Sequence, residues 1–405
     1  MKYVILIILL WRATASVAAE QAEVRESPET LQAAIGWLKT KSTEMIRASR
    51  RQMKSSIAAF PPQVGSHYDA FWLRDYAYTL EGNIEAFSDP EIKDACQLFI
   101  NALREDGAGV DCVAFDGRPI YMPGYGSMGK NPVADGSQFT IDVAWRTYQR
   151  TRDAELVKKN MERLLKCLRA VPRNPETGLV FIDPKQPWDR CAYGFTDTVP
   201  KRGDELFCSL LLIQASHQLA DLSAVAERRD EAAQWKTDAE RVAEKVRQVF
   251  WNPHSRLFHA ATVQCNQPDI WGSAFAVYLG VATQEQSLEI ARYFKEHYRE
   301  IVHRGQIRHL PGGMYWENLP ENSRDRYQNG GYWGTPVGWF VYTLDLVDPT
   351  LADRTFVDMV QDFRTNGVNE NVFAEKAWVP DYNASAALPL AGVRAMLERR
   401  KQSQN

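Results

Sequence analysis

Along most of the chain apolar residues recur at intervals of three and four, the spacing that gathers them on one face of a helix, and strict apolar/polar alternation is scarce. The first such run, about Pro28 to Ala48, sets Leu31, Ala34, Ile35 and Leu38 on one side. A second helix opens near Arg74 and ends before Ser88-Asp89-Pro90, itself a start signal with proline in the first turn. The third carries Ile92, Ala95, Cys96, Phe99 and Leu103. Further helices are predicted over about 138–150, 154–171, 203–222, 226–250, 269–279 and 284–298, and after Trp333 through Leu346. Asp348-Pro349 opens an eleventh that stops at Asn366-Gly367, and a twelfth follows Asn383.

The links between these helices alternate in length. Phe87-Ser88-Asp89, Ser223-Ala224-Val225, Thr283 and Asp348 are short, and short links make antiparallel neighbours. Links from an odd helix to the next even one are mostly long and rich in acids and aromatics. The glycine-rich stretch Asp106 to Gly136 is one of them, with at most a short hairpin of its own. Six hairpins wound in one direction close into a ring. The predicted fold is all-α, an (α/α)6 toroid with one helix of each pair inside and the long loops at one end; an irregular all-α domain is the alternative.

Composition narrows the picture. With 45% hydrophobic and 24% charged residues and a formal net charge of −3, the chain has no basic footprint for nucleic acid. Lys2, the apolar run Tyr3 to Trp11 and the small residues up to Val17-Ala18-Ala19 read as a signal peptide cut near Ala19, although Arg12 interrupts the pattern. The run is too short to span a bilayer. The expectation is therefore an exported protein, secreted or periplasmic, with residues 20–405 as one domain and no membrane contact after cleavage. The six cysteines lack metal-ligand spacing. Cys96, Cys167 and Cys208 fall on apolar helical positions as inert thiols, while Cys112, Cys191 and Cys265 lie in loops and are free to pair.

In the ring, the segments entering the even helices share one mouth. They are His67 to Asp75, Asp135 to Gln138, Trp188 to Asp197, Asp269 to Trp271, Tyr315 to Trp333 and Asn369 to Tyr382. Five of the six hold a tryptophan and all hold an acid. Arg74-Asp75 behind Phe71-Trp72 offers a donor fork, an acceptor and flat apolar faces, which suit a sugar's hydroxyls and its C–H faces. Cleaving a glycosidic bond needs one neutral carboxylic acid and one carboxylate; an inverting pair stands roughly 6.5–9.5 Å apart to admit water. Opposite loops of a ring suit that spacing.

Trp72-Leu73-Arg74-Asp75, the run Gln328-Asn329-Gly330-Gly331-Tyr332-Trp333 and the helix count together resemble the six-hairpin glycosidases, the superfamily of glucoamylase, trehalase and processing α-glucosidase I. The resemblance implies a glycoside hydrolase that is inverting and exo-acting, with Arg74 and Asp75 gripping the terminal sugar. It implies Asp197 as general acid, in the segment Gly194-Phe195-Thr196-Asp197-Thr198, and Glu370 as general base. No Glu-Ser-Gly precedes Asp197, and Glu370 lacks the flanking residues of the usual base motif. Asp183 and Asp189 stay open as acids, Glu317 and Glu375 as bases. Trp72, Asp135, Trp271, Glu317, Gln328, Tyr332, Trp333 and Trp378 complete the candidate sugar-binding set, with Asp135 also read as a helix cap. The loops over 106–136 and 304–333 would block one side of the cleft, making the enzyme exo-acting. Such chemistry needs neither cofactor nor metal, and the oligomeric state stays open. Sugar epimerases, polysaccharide lyases and a binding protein that has lost its acids remain rivals; His67 as the one histidine in a mouth segment argues against an epimerase.

Overall fold

Helices whose apolar residues cover every side must lie inside, and those with a single apolar stripe must lie on a surface. A computed structural model of the chain sorts them in this way; it describes residues 30–65, 67–121, 132–185 and 198–403. The expected signal segment, Cys191 and Asp197 lie outside the described residues.

In chain order the helices are α1 Leu31–Ser49, α2 Leu73–Asn83, α3 Asp89–Asn101, α4 Gly136–Thr151, α5 Ala154–Arg169 and α6 Leu206–Val225. They continue as α7 Arg229–Phe250, α8 Ile270–Tyr278, α9 Gln284–Glu296, α10 Val337–Leu344, α11 Pro349–Asn366 and α12 Asn383–Gln402, with one further helical turn at Tyr298–Ile301. The even helices touch in the cyclic order α2, α4, α6, α8, α10, α12 and back to α2, which closes an inner ring. The odd helices pack outside it. α6 is buried nearly all round, from Leu206 to Ser223, whereas α7 buries only the stripe Ala232, Trp235, Ala239, Val242, Val246 and Phe250.

Caps stop and start the helices where the sequence signals them. Ser88 and Glu91 form a capping box on α3, Thr283 and Gln286 do the same on α9, and Asp348 accepts from Leu351 N at the head of α11. Close approach inside the ring depends on missing side chains. A Cβ on Gly82 of α2 would sit 1.9 Å from the Ala387 carbonyl oxygen of α12, and one on Gly392 would sit 2.2 Å from Gly338 of α10.

The connections depart from an all-α reading. A five-stranded antiparallel sheet stands over the mouth, in the order Val302–His303, Gln306–Arg308, Tyr332–Trp333, Asn369–Phe373, Lys376–Pro380. The Asp106–Gly136 stretch does carry a short hairpin, Cys112–Val113 against Pro119–Ile120, which pairs with Phe71–Trp72 ahead of α2. The five described cysteines are buried and unbridged, so Cys112 and Cys265 do not pair with each other. No helix among the described residues is long and apolar enough to cross a membrane.

Candidate active site

Among the described residues, bonds tie together the approaches to the six inner helices and their first turns. Arg74, in the first turn of α2, meets Asp135 at the head of α4 through Nε (2.8 Å) and Nη2 (3.0 Å). Gln138 of α4 donates to the Cys208 carbonyl of α6 at 3.3 Å. Thr198 donates from its amide (2.9 Å) and hydroxyl (2.6 Å) to Gln328 Oε1, which joins the approach to α6 with the approach to α10. Asp269, capping α8, lies 3.1 Å from His309. Tyr332 pairs with Val372 across the mouth sheet, and Tyr68 donates to Glu370 at 2.5 Å, returning from α12 to α2.

Two carboxylates stand together among these bonds, each facing a phenol. Glu370 is 2% exposed and takes the Tyr68 hydroxyl; Asp75 is 8% exposed and takes the Tyr382 hydroxyl. The two phenol rings lie 6.0 Å apart. Burial first, and then the Glu370 charge, hold the Tyr68 phenol far above its ordinary range; burial and Asp75 do the same for Tyr382. Both hydroxyls therefore remain protonated donors wherever the protein is folded.

Glu370 reaches this position on the hairpin Asn369–Phe373/Lys376–Pro380, which turns at Ala374 and Glu375. The register sets Asn371 opposite Trp378 and Asn369 opposite Pro380, so Glu370 faces Val379. Val379 has φ 48°, a left-handed backbone that a β-branched residue adopts only under constraint. The twist it imposes lies directly across from the acid.

Above Glu370 opens a cavity of about 730 Å³. Its walls include His67, Tyr68, Tyr327, Phe373 and Trp378, drawn from three mouth segments. That is a common size for a small-molecule site. Another cavity, of about 550 Å³, lies where α2, α4 and α8 end. There the charges answer one another: Arg146 reaches Glu81 at 3.0 Å and Asp142 at 2.8 Å, and Tyr278 donates to Glu81 at 3.0 Å. The mouth cavity is the larger of the two, and Glu370 lines it.

Residues 107–306 match the family model of the bacterial alpha-L-rhamnosidase 6 hairpin glycosidase domain. A mannosylglycerate hydrolase from Thermus thermophilus, solved in complex with glucose, is similar over 88% of this chain and 100% of its own, at TM-score 0.64 and 16% identity. A rhamnosidase from Klebsiella oxytoca with rhamnose bound is similar over 89% of this chain and 64% of its own, at TM-score 0.61 and 15% identity. No curated protein sequence matches the chain. The chain has the six-hairpin glycosidase fold, and just under half of it matches a six-hairpin glycosidase domain.

On this fold the residues singled out from sequence divide into three groups. Glu370 and Trp378 line the cavity, and Trp378 is 52% exposed. Arg74 and Asp135 are bonded to each other, Asp75 to Tyr382 and Gln328 to Thr198, and all four are buried or nearly so. Arg74, read as a sugar-gripping fork, directs two donors at Asp135, and Asp135 makes no capping bond because its oxygens face that guanidinium.

The third group sits away from the cavity. Trp271 is fully buried, stacked on His309 with ring centroids 4.0 Å apart, and Trp333 is 3% exposed with its indole donating to the Tyr327 carbonyl. These two tryptophans brace the wall and offer no face to a ligand. Trp72 is half-buried behind Tyr68, and Tyr332 packs on His303. Glu317 accepts from the amides of Cys265 and Asn266, fastening one loop to another, and Glu375 forms an exposed ion pair with Arg304. Neither alternative base stands at the cavity. Asp183 accepts from the Lys185 amide in its own turn, and Asp189 lies outside the described residues.

Sequence reasoning missed Tyr68 and Tyr382, 302 and 307 residues from the acids they serve. It also missed His309, a second histidine in the mouth region. Burial against Trp271 lowers the His309 pKa from its ordinary value, against the pull of Asp269. Lys201 pairs with Glu205, which caps α6.

Proposed function

We propose that this glycosidase is an inverting, exo-acting hydrolase that releases a terminal sugar, with Glu370 as general base and Asp197 as general acid. The observation that carries the reading is Glu370 itself, a buried carboxylate fixed by a phenol at the base of an aromatic-walled cavity. Asp197 donates a proton to the glycosidic oxygen as its bond to the anomeric carbon breaks. Glu370 takes a proton from the water that attacks the opposite face, so the product has inverted configuration.

Support for Asp197 comes from its neighbour: Thr198 is moored to Gln328, beside Tyr327 on the cavity wall. Support for a single terminal pyranose comes from the solved neighbours, one in complex with glucose and one with rhamnose bound. The segment over 304–333 supplies Tyr327 to one wall, which fits a cleft closed on that side and hence exo action. With the leader read at residues 1–19, we place the enzyme outside the cytoplasm.

The test is hydrolysis of a panel of α-L-rhamnosides, α-mannosides and α-glucosides, with proton NMR during the first turnovers. A β-anomer appearing first supports the reading. An α-anomer appearing first rejects inversion, and sugar binding without turnover on any member of the panel makes the chain a binding protein.

A further inference from the structure

We propose that the outer part of the cavity is a subsite for a leaving group that carries a carboxylate, with Arg326 and Lys376 as its specificity-determining residues. The inference rests on Glu370 being the catalytic base.

Both side chains line the cavity whose base is Glu370, and they arrive from different segments: Arg326 from the approach to α10, Lys376 from the second strand of the hairpin. Both are exposed, and among the described residues neither is engaged in an ion pair. The acids around them are otherwise engaged. Glu375 pairs with Arg304, Asp69 with Arg51 at 3.1 Å, and Asp325 accepts the Tyr315 hydroxyl at 2.7 Å. His67 adds a third nitrogen-bearing side chain to the same wall, and its ring meets Trp378 edge-on at 6.5 Å.

A neutral sugar gains little from two cations at the rim of its site. A carboxylate gains a planar donor fork and a point charge, offered beside the indole of Trp378 on which an organic skeleton can lie. Low-dielectric walls around the cations sharpen their field along the cavity. They also offset the repulsion that Glu370 exerts on an incoming anion. On hydrolysis the anomeric C–O bond breaks, the leaving oxygen takes the proton from the general acid, and the product leaves as a hydroxy acid. The water oxygen stays on the sugar, its proton on Glu370.

The experiment compares 4-carboxyphenyl and 4-carbamoylphenyl glycosides of the sugar that the full-length protein hydrolyses, a charged and a neutral leaving group of nearly the same shape. The quantity read is the ratio of their kcat/KM values. The proposal expects a ratio of about ten or more in the parent protein, as charge-assisted bonds give. It expects a fall toward one in Arg326→Ala/Lys376→Ala and a preference for the neutral compound in Lys376→Glu. A ratio near one in the parent, or one that these substitutions do not move, overturns it. Turnover of the neutral compound with a ratio of one overturns this inference and leaves the Glu370 reading intact; no turnover of either compound, or of any other glycoside, removes both.

Discussion

Tyr68 and Tyr382 each direct a hydroxyl at a buried carboxylate, and neither can lose that proton in the ordinary pH range. Tyr68→Phe should lower kcat by about ten- to a hundredfold, the worth of a hydrogen bond to a charged group. Because the phenol is not a titrating group in that range, the limbs of the pH–rate profile should keep their positions in the variant; a displaced alkaline limb would mean that Tyr68 itself titrates. Arg74 is a different case. Its partner Asp135 is 1% exposed, so Arg74→Ala leaves a buried carboxylate without its guanidinium and should cost about 3–5 kcal/mol in urea unfolding. Asp75 and Glu370 were legible in the sequence because each stands beside a helix entry rich in aromatics. Their phenolic partners were not, since nothing local links residues some three hundred positions apart. Composition also does not say which side of a wall a tryptophan takes: Trp378 faces the cavity, while Trp271 and Trp333 support it from behind.

The helices were legible because their ends carry chemistry that acts over three or four residues. Ser88 with Glu91 and Thr283 with Gln286 close their own helix heads. The mouth sheet was not, because three of its strands have only two or three residues, too few for alternation to register. Yet this sheet carries Glu370 and Trp378. The α2–α12 contact depends on Gly82, where an added Cβ would meet the Ala387 carbonyl oxygen at 1.9 Å. Gly82→Ala should force the two helices apart at a cost of about 3 kcal/mol, measured by chemical denaturation. Since α2 holds Arg74 and Asp75, catalysis should fall with it; unchanged stability would show that the helices separate without strain.

At the scale of the molecule, the ring was inferred from the count of helices and the rhythm of the links, and its closure is seen in α12 returning to α2. Segments distant in sequence meet because each inner helix presents its N-terminal end to the same mouth, where cross-loop bonds fasten them. One of these ties should give stability a pH dependence. The fold lowers the His309 pKa below 6.5, so the unfolded chain binds the proton more readily. Stability should therefore fall as pH drops from about 6.5 toward the folded-state value. His309→Gln should flatten that slope in Tm against pH; an identical slope would place the acid sensitivity elsewhere. The proposed hydrolysis needs Glu370 to act on water, and the direct measurement is turnover and sugar binding by Glu370→Gln. We expect kcat to fall by about a hundred- to ten-thousandfold, the range for loss of a general base, with the dissociation constant for the released monosaccharide nearly unchanged. Turnover close to that of the parent protein would contradict it.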